Sequence, residues 1–223
     1  MATTDSTAFS LSIPRPRTSY RELTELFVGF AGIMTILWLP TPEQLIFGPI
    51  ALLIPLALVL LRRPTLSQLG LGLRGLVPSL WVLPAAVSLT IVSIFLAQQG
   101  GTFHSLSNAG FSHAWGYIIW TMYQQFLMQD YFMPRLQRLM NSETAIAIAA
   151  TLFAVAHLPN VTLAIATLVW GAVSCLLFRR YRNLYVLGLA QGILGLCFAV
   201  CVPDVLIHHM RVGLGYWHYH VGQ

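Results

Sequence analysis

The chain has 223 residues, enough for one domain, and 57% of them are hydrophobic while only 9% are charged. Ordinary soluble domains carry about 25% charged residues, so this chain lacks the charged surface that a soluble protein needs. The net charge of +5 is not accompanied by a basic patch with interleaved aromatic residues. A nucleic-acid partner is therefore not expected.

Several apolar runs of membrane-spanning length predict an all-α, polytopic helical membrane protein in contact with the lipid bilayer. We expect a disordered cytoplasmic tail (residues 1–20), a transmembrane domain (residues 21–202) and an aromatic, histidine-rich C-terminal tail (residues 203–223). Within that tail, residues 203–219 are a candidate for an eighth helix. The seven predicted spans are residues 23–39, 44–61, 76–97, 114–134, 145–158, 161–178 and 184–202.

The arginines predict the orientation, since all twelve positively charged residues are arginine. With the N-terminus in the cytoplasm, only Arg211 falls on the opposite side of the membrane, as the positive-inside rule requires. We expect a multi-pass protein of the cell (cytoplasmic-type) membrane. The arginines on the cytoplasmic side are then Arg15, Arg17, Arg21, Arg62, Arg63, Arg74, Arg135, Arg138, Arg179, Arg180 and Arg182.

Polar side chains interrupt the fourth span at Gln124, Gln125, Gln129 and Asp130. Gln125 and Gln129 are spaced i, i+4, which places them on one side of a helix. Polar groups at membrane depth are costly unless they face a partner or a cavity. We therefore expect the three amides to line a cavity, and Asp130 to pair with an arginine such as Arg135 at the membrane boundary.

A second polar group follows in the fifth span. His157 lies one turn after Phe153 and three residues before Asn160, so the three side chains can share a face. Pro159 breaks the helix there and frees backbone carbonyls, while Asn160 can cap a helix or line a cavity.

The cysteines and the C-terminal histidines indicate neither a cofactor nor a metal. Cys175, Cys197 and Cys201 all lie in apolar spans and read as small buried hydrophobic residues. The tail histidines have no zinc-site spacing, and with the neighbouring aromatic residues they fit an anchor at the membrane interface. Metal or pigment ligation is the alternative. These histidines are His208, His209, His218 and His220.

Three motifs resemble the CPBP family, the CAAX-protease and bacteriocin-processing membrane proteins, also known as Abi proteins. The family's Glu-Glu-x-x-x-Arg motif reads Gln124-Gln125-x-x-x-Gln129 here, followed by Pro134-Arg135-Leu136. The Phe-x-x-x-His motif is intact as Phe153 to His157, and the His-x-x-x-Asn motif falls on Gln191 and Gly195. Leu69-Gly-Leu-Gly-Leu-Arg74 resembles the family's segment before its core, and the likeness covers roughly residues 65–200.

The resemblance implies an intramembrane endopeptidase in which glutamates and histidines hold a water while an amide helps to stabilise the oxyanion. A carboxylate can accept the proton of that water, whereas the carboxamides of Gln124 and Gln125 have no useful basicity. Gln191 and Gly195 remove two further groups. The replacement of the motif arginine by Gln129 fits this loss, because an unpaired buried arginine would be expensive.

We therefore predict a catalytically degenerate member of the family that binds a peptide, a lipid or a partner's membrane segment in a retained polar cavity. Its catalytic-motif positions are Gln124, Gln125 and His157, and its predicted cavity residues are Gln129, Phe153, Asn160, Gln191 and Gly195. An active intramembrane protease that uses His157 is one alternative. An accessory subunit of a larger membrane complex is the other.

Overall fold

The structure, a computed structural model, describes residues 17–105 and 108–219, and no β-strand occurs within those ranges. A π-helical turn, Leu127–Phe132, joins the fifth helix to the sixth, and 3₁₀ turns occupy Leu73–Gly75 and His208–Met210. The helices are α1 (Arg17–Trp38), α2 (Thr41–Leu60), α3 (Leu76–Ser79), α4 (Val82–Gln99), α5 (Asn108–Phe126), α6 (Met133–Leu139), α7 (Ser142–Val155), α8 (Val161–Tyr181), α9 (Leu184–Cys201), α10 (Asp204–Ile207) and α11 (Leu214–Trp217).

The predicted polytopic helical fold is confirmed. By length and composition, α2, α4, α8 and α9 can each cross a membrane, and α7 is a shorter apolar helix. Large apolar side chains remain exposed along these helices, among them Leu45 on α2 and Ile91 on α4. Such a surface suits hydrocarbon rather than water.

The two ends of the chain differ in detail from the sequence-based expectation. Helix α1 begins at Arg17, so the last residues assigned to the N-terminal tail are helical, while residues 1–16 lie outside the described part. The segment 203–219 is not a single eighth helix, since two short helices flank a 3₁₀ turn there. The left-handed backbone of the residues from His208 to Met210 (φ 47–57°) interrupts any longer helix.

Local sequence signals explain where the central helices start. Asn141, Asn160 and Asn183 each accept a hydrogen bond from a backbone N–H three residues later, which caps α7, α8 and α9. Pro134 lies in the first turn of α6 and has no N–H to donate to the preceding turn. The π-helical turn lies directly before it, and such turns are frequent at functional sites.

Helix α9 is the centre of the bundle, because α4 and α5 pack on it and half of its length is buried. Glycines permit the close contact with α5. A Cβ at Gly188 would lie 3.0 Å from the Cα of Met122, and one at Gly192 would lie 3.1 Å from Cγ1 of Ile118. Small residues at i, i+4 let membrane helices approach backbone to backbone. The side chains of α5 and α9 therefore meet directly.

The bundle concentrates its charge at one end, which we name the arginine end, where α1, α7 and α9 begin and α2, α6 and α8 finish. Arg211 lies at the opposite end, where its backbone carbonyl accepts a hydrogen bond from Asn160. This division matches the positive-inside rule and supports the predicted orientation. Which face is cytoplasmic stays a prediction. The described arginines of the arginine end are Arg21, Arg62, Arg63, Arg74, Arg135, Arg138, Arg179, Arg180 and Arg182.

Two glutamates of α1 connect the helices of the arginine end through hydrogen bonds to arginines. Glu22 accepts hydrogen bonds from Arg62 at 3.0 and 3.1 Å and from Arg138 at 2.6 Å. Burial by itself raises the pKa of Glu22, but the hydrogen bonds and charges of Arg62 and Arg138 outweigh it and hold that pKa below its usual value. Glu25 accepts from Arg62 at 2.7 Å and from Arg135 at 2.8 Å. These bonds link α1 to α2 and α6.

Arg135 is the most deeply buried member of this network, with 1% of its surface exposed. Its Nη1 donates to the backbone carbonyl of Tyr131 at 2.7 Å, and its guanidinium lies 3.9 Å from the centroid of the Tyr131 ring. The Tyr131 hydroxyl in turn donates to the backbone carbonyl of Glu25. The charge of Arg135 is therefore neutralised inside the bundle by Glu25.

We predict that Glu25→Ala destabilises the protein by about 3–5 kcal/mol, because it leaves the buried Arg135 without its carboxylate. Thermal unfolding in a neutral detergent measures the loss. The control is Glu143→Ala, which removes an exposed pair with Arg179 (3.4 Å) and should cost about 0–1 kcal/mol. Equal effects of the two variants would contradict a structural role for the buried pair.

Candidate functional site

A cavity of about 710 Å³ opens between the helices and is lined mainly by apolar side chains. This volume is within the range of sites that hold small ligands. Gln124 and Gln191 supply polar groups from α5 and α9, and His157 supplies one from the turn after α7. Phe153 and Gly195 line the same space. Five of the eight predicted site residues therefore share one cavity.

Gln191 is the hub of the polar wall. Its Nε2 donates to Oε1 of Gln124 at 2.5 Å, and its Oε1 accepts from Nε2 of Gln125 at 2.6 Å. The indole N–H of Trp170 donates to the same Oε1 at 3.0 Å. The first and third motif positions are thus joined side chain to side chain, which the close packing of α5 on α9 permits.

Gln125 and Gln129 lie behind this wall and are not among the cavity-lining residues. Gln125 is fully buried, and its Oε1 accepts from Nε2 of Gln129 at 3.1 Å. The same Nε2 lies 3.3 Å from Oγ of Ser174 and 3.7 Å from Sγ of Cys175. Oε1 of Gln129 is buried and has no hydrogen-bond partner among the described residues. The amides form one chain from Gln124 through Gln191 and Gln125 to Gln129.

His157 is oriented by its own helix turn. Its Nδ1 lies 2.7 Å from the backbone carbonyl of Phe153, and the two rings pack edge to face at 4.8 Å. A carbonyl only accepts, so Nδ1 carries the proton and Nε2 is the acceptor in the neutral ring. The i, i+4 spacing of Phe153 and His157 therefore creates both the hydrogen bond and the ring contact.

Asn160 lies outside the cavity wall, contrary to the expected cavity position. Its Oδ1 caps α8, and its Nδ2 donates to the backbone carbonyls of Ile207 at 2.6 Å and Arg211 at 3.2 Å. The residue is fully buried. Asn160 therefore anchors the C-terminal segment, from which Met210 and Val212 reach the cavity.

The expected ion pair of Asp130 is wrong, because Arg135 binds Glu25 instead. Asp130 is only 6% exposed, and its Oδ2 has no hydrogen-bond partner among the described residues. The reason is rotational: the guanidinium of Arg135 lies against the Tyr131 ring and turns toward α1. The sequence spacing puts Asp130 and Arg135 within reach of each other. It gives no sign that the carboxylate of Glu25, on α1, competes for Arg135.

Two aromatic residues of the site were not found from the sequence. Tyr117 lines the cavity, and its hydroxyl occupies the space that a Cβ at Gly195 would need. The ring thus fills the position that the asparagine of the third family motif would occupy. The indole N–H of Trp170 donates to Gln191. Membrane tryptophans usually lie at the interface, and a buried one needs a partner for its N–H. The position of Trp170 in the middle of a span was therefore a usable sign of a polar partner.

Among the described residues, no group of three His, Cys, Asp or Glu side chains is placed so that it could hold a metal ion. His209 binds Asp204 and Tyr219 instead. His220 lies outside the described residues. Cys197 and Cys201 are free thiols 3.8 Å apart, and Cys175 is buried beside Gln129.

The polar groups of this arrangement are mainly neutral amides. The amide chain presents hydrogen-bond donors and acceptors but no carboxylate at the motif positions. His157 is the one basic side chain that we identify on the cavity wall among the described residues. An apolar cavity with a few placed polar groups is the usual form of a binding site.

We predict that Gln191→Leu lowers the free energy of unfolding by about 2–4 kcal/mol, because Gln125 loses a buried hydrogen bond and Gln124 and Trp170 each lose a partly buried one. Gln98→Leu, at an exposed position near the end of α4, is the matched control and should change it by less than about 0.5 kcal/mol. Thermal unfolding in detergent compares them. A Gln191→Leu protein as stable as the control would contradict the hub role.

Comparison with known proteins gives one family. Residues 28–197, most of the chain, match the family described as "Type II CAAX prenyl endopeptidase Rce1-like". The match begins well before the segment whose motifs carried the resemblance and includes the second half of α1. No curated protein and no solved structure matches the chain. The resemblance drawn from the motifs is confirmed: the chain is an integral membrane protein that belongs to the Rce1-like, type II CAAX prenyl endopeptidase family.

Proposed function

We propose that this membrane protein binds an apolar peptide segment in its cavity and does not hydrolyse it by the mechanism that the family resemblance implies. The observation that carries the proposal is the amide chain centred on Gln191. Glutamine side chains stand at the motif positions where the resemblance implies catalytic groups, and they are bonded to one another. None of these side chains can act as a base.

The polarity of the cavity favours a peptide as the ligand. Oε1 of Gln124 is engaged by Gln191, which leaves the amide N–H groups of Gln124 to donate to a carbonyl. His157 has its Nδ1 proton on the Phe153 carbonyl, which leaves Nε2 to accept from an N–H. A peptide bond offers a carbonyl and an N–H, the complement of this pair. The apolar walls suit side chains of a membrane segment.

The size of the cavity can be used to test binding. Gly48 lines the cavity, and a Cβ there meets no atom within 4 Å. Gly48→Phe should therefore fill the cavity without a clash at Cβ and abolish binding of a fluorescent apolar peptide, measured by anisotropy in detergent. Gly116→Phe is the matched control, because its Cβ position is equally open and lies outside the cavity lining.

Binding that survives Gly48→Phe, or that both variants reduce equally, would contradict the cavity as the site. Displacement of the peptide by a single-chain lipid but not by a second peptide would favour a lipid ligand. His157→Ala tests the contribution of the His157 ring to peptide binding. His104→Ala is its control, because His104 is exposed and outside the cavity lining. Only His157→Ala should weaken peptide binding.

For hydrolysis, we predict no turnover of a prenylated CAAX-type peptide by the wild-type protein in liposomes. General-base catalysis supplies about 10²–10⁴-fold, and loss of an oxyanion donor costs about 10²–10³-fold more. Both kinds of group are replaced at the motif positions. Turnover by the wild type that His157→Ala abolishes and His104→Ala retains would overturn this prediction and identify an active protease with His157 as its base.

A further inference from the structure

A second cavity, of about 380 Å³, lies at the arginine end between the loop that follows α2 and the end of α8. We name it the arginine pocket. The side chains that matter here are Arg74, Arg180, Arg182, Ser67 and Tyr181, all of which line it. The pocket shares no lining residue with the large cavity.

The arginines of this pocket form no ion pairs among the described residues. Within residues 17–105 and 108–219, no carboxylate lies within 4.0 Å of Arg74, Arg180 or Arg182, and Asp130 acts on Arg182 only through a longer-range charge interaction. Most other arginines of the same end are paired: Arg21, Arg62, Arg135, Arg138 and Arg179. Glu22 and Glu25 are taken by four arginines, and Glu143 by Arg179. The pocket is therefore a concentration of cations that offers an anion three guanidinium groups.

The pocket is held in shape before any ligand arrives. Arg182 has a left-handed backbone (φ 51°) that ends α8, and its Nε and Nη2 donate to the carbonyl of Gln68 at 3.1 and 2.8 Å. The Leu184 N–H donates to the carbonyl of Gly70 at 2.9 Å. At Gly75 the loop packs so closely on α8 that a Cβ would collide with the backbone carbonyl of Tyr181. Preorganisation of this kind lowers the cost of binding.

The surroundings place the pocket at headgroup depth. Trp81 is exposed, and its indole N–H donates to the Tyr181 hydroxyl at 3.1 Å, as expected of aromatic residues at the membrane interface. Leu73 and Val77 are 75% and 73% exposed on the segment that carries Arg74. Apolar side chains that face outward beside unpaired arginines are typical of a surface where acyl chains meet their headgroups.

We propose that the arginine pocket binds a phosphate group, presented by an anionic phospholipid headgroup or by a soluble phosphate compound. The planar forks of Arg74 and Arg180 match phosphate oxygens, with which arginine forms paired hydrogen bonds. Arg182 adds its charge beside them, while its Nε and Nη2 bind the Gln68 carbonyl. The Ser67 hydroxyl adds a neutral donor. Tyr181 accepts from Trp81 and keeps its own O–H to donate. The site is independent of what the large cavity binds.

The test uses the full-length protein in neutral detergent and measures retained lipid by native mass spectrometry. Phosphatidylglycerol should bind the wild type and phosphatidylcholine should not. Arg74→Gln with Arg180→Gln should weaken phosphatidylglycerol binding by about 30-fold, which is about 2 kcal/mol. Arg182 is left in place because it ends α8. The control, Arg63→Gln with Arg179→Gln, removes the same charge from the same end outside the pocket and should weaken binding by less than about threefold.

Equal weakening by the two double variants, or equal binding of the two lipids, would overturn the proposal, since either result means only diffuse attraction. If the Arg74 and Arg180 double variant has a lower melting temperature than the wild type without lipid, Ser67→Asp is used in its place. Ser67→Asp puts a carboxylate in the pocket and leaves every arginine intact. It should repel phosphatidylglycerol. Competition by glycerol phosphate or inorganic phosphate identifies a soluble source. Absence of competition while the pocket variant still loses lipid identifies a headgroup.

Discussion

Hydrocarbon offers no hydrogen-bond partners, so a polar side chain inside this bundle is stabilised by partners within the protein. Gln191 shows the consequence most directly, because its single amide engages Gln124, Gln125 and Trp170. Those bonds require α5 and α9 to lie close together, and the glycines at Gly188 and Gly192 permit it. The polar cavity wall is therefore also the contact that holds the centre of the bundle.

The same constraint acts on charge at the arginine end. Arg135 lies too deep for water, and Glu25 reaches it from α1, so one carboxylate connects the first helix with the sixth. Arg74, Arg180 and Arg182 are exposed and form no ion pair within the described part of the chain. An arginine as deep as Arg135 needs a carboxylate inside the protein, whereas an exposed arginine can do without one.

Membership of a protease family is compatible with glutamines at the motif positions, because fold and chemistry depend on different residues. The helix packing needs small residues on α9 and hydrogen-bonding partners on α5, which glutamine supplies as a neutral donor and acceptor. Hydrolysis needs a base and an oriented water, which glutamine does not supply. The replacement of the motif arginine by Gln129 follows the same logic, since a lone arginine beside neutral amides would be an unpaired buried charge.

Several features of this protein could be read from its sequence. Apolar run lengths determined the helical membrane fold, and the Asn residues before α7, α8 and α9 mark helix starts that depend only on local hydrogen bonds. Five of the motif-based site positions line one cavity in the structure: Gln124, Phe153, His157, Gln191 and Gly195.

Only the tertiary structure decided which partner each polar group takes. Asn160 anchors the C-terminal segment, Arg135 pairs with Glu25 and not with Asp130, and Tyr117 fills the space beside Gly195. Each outcome depends on side chains far away in sequence that compete for one position. The sequence by itself determined the helices and the positions that face inward, since these follow from local periodicity and the cost of polarity in lipid. The pairings depend on how the helices rotate and approach, which local sequence does not encode.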